Sequence, residues 1–133
     1  MSSQMSEPSA RLVTALAKTL ISSLQEHVPG WQRAYIRLEA SEDHSRVNGS
    51  YVTASGIFIF DVLKLKELFT QIRSLGLELR DALAKDGEML CVLLLSVDSE
   101  FNFNVDYEWK DQTRWEITKL DGASGLPKGL AGA

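Results

Sequence analysis

The sequence has one cysteine, three prolines and two histidines in 133 residues, and each scarcity closes off a class of function. A single thiol, Cys91, cannot close an internal disulfide or share a thiolate metal cluster. Set in the apolar run Met89–Leu95, it reads as a small, buried packing side chain. His27 and His44 have no second His, Cys or carboxylate at ligand spacing, so no metal site is expected. The G-x-S-x-G elbow, the phosphate loop and the dinucleotide glycine fingerprint are all missing. Spacing leaves open a Cys91–His pair formed in space, but a thiolate among Leu and Val would be poorly solvated. No catalytic residue and no cofactor is therefore expected, and the chain is not expected to be an enzyme.

Long apolar runs are missing too. Met89–Leu95 is far shorter than the ~20 residues that span a bilayer, and no basic region followed by an apolar run opens the chain. The expectation is a cytoplasmic protein without a membrane partner. Lys and Arg total 14 against 18 Asp and Glu, a net charge of -4. That balance argues against nucleic acid as the partner, because phosphate binding needs concentrated basic residues. It suits a basic protein.

What is present is 44% hydrophobic residues, enough for one substantial core in a chain of this length. Residues 1–8 are expected as a flexible arm, 9–120 as a single α+β domain, and 121–133, rich in Gly and Ala, as a flexible tail. Leu12, Leu16, Leu20, Ile21 and Leu24 share one face of a helix from Ser9, its expected cap, to about His27. Pro29-Gly30 ends it. Period 2 follows in Trp31–Glu39: Ala34, Ile36 and Leu38 face one way, Trp31, Arg33, Tyr35 and Arg37 the other. Val47–Thr53 and Ile57–Phe60 are the next strands, with Asn48-Gly49 as a kink or hairpin turn. Leu65, Leu68, Phe69, Ile72, Leu75, Leu79 and Leu83 stripe a second helix over about Leu63–Lys85, and Gly76 within it suggests a kink.

Met89–Val97 reads as a buried strand, Asp98–Glu100 as a tight turn and Phe101–Trp109 as a strand of clean alternation. Its order, α-β-β-β-α-β-β, predicts an α+β fold. Two amphipathic helices pack on one face of a mostly antiparallel sheet of five strands, or six with Trp115–Lys119. The stripe of the second helix is expected to pack on Phe101, Phe103, Val105 and the run Leu90–Leu94.

One strand face carries chemistry. Asn102, Asn104, Asp106 and Glu108 alternate with Phe101, Phe103, Val105, Tyr107 and Trp109, and Asp98, Glu100 and Asp111 flank them. A wet strand face usually mixes charge signs, whereas this one holds acids and amides without lysine. The partner-binding residues expected from it are Asp98, Glu100, Asn104, Asp106, Glu108 and Asp111. Trp31 and Tyr35 join them as aromatic anchors, or else pack under a neighbouring loop.

The segment Leu94–Glu108, an apolar strand, an acidic turn and then Phe-Asn-Phe-Asn-Val-Asp-Tyr-Glu, resembles the end of the YezG-like antitoxin and immunity proteins. The order of elements over Trp31–Trp109 is similar as well, with Ser99-Glu100 standing where that family's turn carries glycine. The resemblance implies an immunity protein that binds a cognate toxin, often a basic nuclease, and blocks it without chemistry. Two rival readings share the layout: a type III secretion chaperone, which would be a dimer with exposed apolar grooves, and a small cone-shaped α+β enzyme or ligand-binding domain with an enclosed polar pocket.

Overall fold

A computed structural model describes residues 7–130. The elements run α1 (Glu7–His27), β1 (Arg33–Ala40), β2 (Ser45–Thr53), β3 (Gly56–Ile59), α2 (Lys66–Leu83), β4 (Val92–Asp98), β5 (Phe103–Glu108) and a 3-10 turn at Leu120–Gly122. The expected α+β order and the helix-on-sheet layering are both present. The sheet has five strands in the order β3-β2-β1-β4-β5, and all neighbours pair antiparallel.

The alternation in β1 sorts the molecule into two cores. Ala34, Ile36 and Leu38 face the helices, where they meet Leu16, Leu20 and Leu24 of α1 and Leu68, Phe69, Ile72 and Leu79 of α2. Helix α1 lies over β4, and α2 lies over β1 and β2. The expectation that α2 would pack on Phe101, Phe103, Val105 and Leu90–Leu94 holds in part: Leu90, Leu93 and Val105 share its core and Arg80 Nε donates to the Leu90 carbonyl at 2.7 Å, but α1 takes the place beside β4. Helix α2 runs unbroken through Gly76, which answers to close approach and not to a kink. A Cβ there would strike Leu38 Cδ2.

The opposite face is also covered. Tyr35, Val52, Val92 and Leu94 pack there against Trp115 and Ile117, with Leu126 and Leu130 beside them. Trp115–Lys119 forms no sixth strand; Trp115 takes a left-handed φ of 60° and drops its ring onto the sheet. The segment is anchored by β-strand side chains. Arg37 Nε donates to the Arg114 carbonyl at 2.9 Å and its Nη2 to the Gln112 carbonyl. Asn48 Nδ2 donates to the Ile117 carbonyl at 2.9 Å. Residues 121–130, expected as tail, lie on this face, with Gly125 and Pro127 buried. Apolar Leu126 and Leu130, spaced among glycines, give it something to bury. At the other end Glu7 and Pro8, expected in the arm, are already helical, and Ser9 is a buried residue of α1. Residues 1–6 and 131–133 of the expected arm and tail lie outside the described residues.

Asn48-Gly49 is neither kink nor turn but the middle of β2, and Gly49 is there for space. A Cβ would strike the Tyr35 carbonyl and come within 2.7 Å of Ile36 Cδ1. Backbone in a central ladder cannot yield as a flexible side chain can. Gly49→Ala is expected to lower stability by about 1–3 kcal/mol or more, read from the urea midpoint. An unchanged midpoint would contradict this packing.

Candidate acidic and aromatic docking surface on the last strand

The β4–β5 hairpin is built by its own acids. Past the end of β4 the chain must reverse in a few residues, and Phe101 takes a left-handed φ of 70°. The Asp98 carboxylate holds that reversal, accepting the N–H groups of Glu100 at 2.9 Å and Asn102 at 3.0 Å and the Asn102 side-chain amide at 3.1 Å. Desolvation pushes its pKa up, but these bonds outweigh it and hold the group below the usual aspartate value.

Glu108 closes the other end of β5. Its Oε2 accepts from the N–H groups of Trp109, Lys110 and Asp111 at 3.2, 3.0 and 3.2 Å. Its Oε1 accepts from Arg114 Nη1 at 2.6 Å. The Arg114 bond foremost, then the backbone N–H groups, lower its pKa to about 2. Asp111 is held below its usual value by Thr113, whose hydroxyl and N–H it accepts at 2.6 and 2.9 Å. Asp98, Glu108 and Asp111 therefore organise turns.

The sign of the pH dependence follows from Glu108. A folded pKa below the ordinary 4.5 adds stability that is present above about 4.5 and lost as pH falls toward about 2. Glu108→Gln is expected to be less stable than wild type at neutral pH, with the gap closing across that window. Urea denaturation at several pH values checks it, and a gap independent of pH would contradict the assignment.

Three of the expected partner-binding residues build no turn. Glu100 is exposed at the turn, Asn104 is exposed, and Asp106 is half-buried, with Asn104 Nδ2 donating to Asp106 Oδ2 at 3.0 Å. Asn104 and Asp106 line an open groove of about 480 Å³ with Arg33, Tyr35 and Ser96. The two expected aromatic anchors, Trp31 just before β1 and Tyr35 within it, are elsewhere. Trp31 is 8% exposed, inside the helix-side core. Tyr35 is 4% exposed in the second core, its hydroxyl accepting from Arg33 Nη1 at 3.1 Å. Both rings pack inward: Tyr35 lies beneath the C-terminal segment, as the alternative expectation had it, whereas Trp31 joins the helix-side core, and Arg37 pairs with Glu39 and not with the acids of the last strand.

Comparison with protein-family models finds no match, and comparison with curated proteins finds none either. The surface must be read on its own chemistry.

Phe101, Phe103 and Trp109, expected in the core or its face, are 55%, 44% and 38% exposed. Val105 and Tyr107 between them do pack against the helix-side core. The alternation is right in parity, but the helices do not cover the ends of β5. β5 is an edge strand, and the alternation itself does not mark which of its positions the helices cover. Among the described residues no helix is long and apolar enough to cross a membrane, and no group of three His, Cys, Asp or Glu side chains is placed to hold a metal ion.

Proposed function

We propose that the chain is an immunity protein, an antitoxin that binds and neutralises a cognate bacterial toxin of the basic nuclease type through the β5 surface. The observation that carries this reading is the exposure of Phe101, Phe103 and Trp109 on one edge of the sheet, beside Glu100, Asn104 and Asp106. Aromatic side chains at the centre of an interface supply most of its binding energy, and carboxylates such as Glu100 and Asp106 at its rim speed capture of a basic partner. A nuclease presents a basic surface because its substrate is polyanionic. Covering that surface blocks substrate, so the chain needs no reaction of its own.

The test is inhibition. A nuclease-type toxin domain, sought in the adjoining reading frame, is expected to lose activity in proportion to added chain, reaching zero at a fixed stoichiometry. Full nuclease activity at a large excess of the chain would overturn the reading.

A further inference from the structure

Sheet edges are normally defended by shortness, proline, lysine, bulges or a covering loop. Strand β3 has two such defences: it is four residues long, and Lys119 Nζ lies 5.9 Å from the Phe58 ring centre. Among the described residues no main-chain group bonds to the outer side of Phe103 or Val105 in strand β5, and of the charged side chains that can blunt an edge it carries Asp106 and Glu108, the latter held by Arg114. The strand runs six residues, Phe-Asn-Val-Asp-Tyr-Glu, in unbroken register with β4, without proline, glycine or lysine.

The direction of its hydrogen bonds follows from the ladder. Asp98 N–H donates to the Asn102 carbonyl, which makes that pair hydrogen-bonded, and in an antiparallel ladder such pairs recur every second residue. Asn104 and Asp106 therefore turn their main-chain groups toward β4. Phe103 and Val105 turn theirs away from the sheet. The side chains sort the other way: Val105 packs on the helix side and Phe103 shares its parity, though it also borders the groove that Asn104 and Asp106 line on the opposite face.

We infer that the partner adds a strand to β5, bonding the outward main-chain groups of Phe103 and Val105, and that this strand alternates basic and apolar residues. Residues opposite each other in a ladder share a face. A residue beside Asp106 then meets a carboxylate and is basic; one beside Phe103 or Val105 meets carbon and is apolar. This rests on the reading of β5 as the toxin-binding surface and specifies how that surface is used.

Hydrogen exchange of the Phe103 and Val105 amides tests it, with two probes. One is a catalytically inactive nuclease-type toxin domain, the one that the chain inhibits in the test above. The other is a capped peptide, Lys-Val-Lys-Val-Lys-Val, against Lys-Lys-Lys-Val-Val-Val as control. Both amides are expected to exchange fast in the free chain and about 100-fold more slowly at saturation with either probe. The alternating peptide is expected to bind about 10-fold more tightly than its control. If the toxin domain binds and Asp106→Lys weakens it while both amides keep their free rates, strand addition is wrong and the immunity reading stands. If the peptide slows the amides but the toxin domain does not bind, the immunity reading fails and the open edge stands. A dimeric free chain with both amides already slow would assign the edge to a second copy and overturn the proposal. So would a failure of both probes to bind.

Discussion

Arg37→Met is expected to cost about 3–5 kcal/mol of folding stability, the range for removing one member of a buried ionic network. The side chain is 4% exposed and sits in mid-strand on the face away from the helices. Its guanidinium serves the carbonyls of Arg114 and Gln112 and the Glu39 carboxylate at 2.9 Å. Burial pushes the Glu39 pKa up, but the bonds from Arg37 and Arg46 prevail and keep it below the usual value. Methionine fills similar volume yet leaves two carbonyls without a donor and Glu39 with Arg46 alone. Small domains total about 5–15 kcal/mol, so the shift in urea midpoint should be large. Trypsin should also begin to cut at Lys110 and Arg114, because the segment they begin loses its anchor. A variant with wild-type midpoint and wild-type resistance would mean that Trp115 and Ile117 hold the segment by apolar contact alone.

Replacing Phe103 and Trp109 together by alanine is expected to weaken toxin binding by more than 2 kcal/mol, about 30-fold or more. Both side chains are partly exposed, so stability should fall far less than the 2–5 kcal/mol typical of a buried large-to-small change. The contrast separates the two roles these residues could have. Calorimetric titration and urea denaturation of the same variant measure both. Large destabilisation with unchanged affinity would return the two rings to the core.

Most of the fold was legible because its signals are local. The leucine stripe of α2, the alternation of β1 and the stop at Pro29-Gly30 each depend on neighbours in the chain. Gly49 and Gly76 were misjudged for the opposite reason. Both answer to atoms far away in sequence, the Tyr35 carbonyl and the Leu38 side chain, where propensity alone suggests a turn or a kink. Sequence left Tyr35 open between anchor and buried ring, since only the folded C-terminal segment reveals that the second sheet face is covered; Trp31, before the strand begins, escapes its alternation and joins the helix-side core. Within the candidate site, composition showed where the acids cluster but not which of them are engaged. Asp98, Glu108 and Asp111 look like Glu100 and Asp106 in the sequence. Only hydrogen-bond geometry separates turn-builders from carboxylates available to a partner.

Association kinetics of the Glu100→Lys/Asp106→Lys variant with a nuclease-type toxin domain, at two salt concentrations, test whether the β5 surface captures a basic partner. Neither carboxylate caps a turn, so folding should stay nearly intact. The on-rate should fall at low salt, and its dependence on salt should shrink, because steering by these charges acts over about a Debye length. Wild-type on-rates at both salt concentrations in a folded double variant would contradict the claim and place the interface elsewhere.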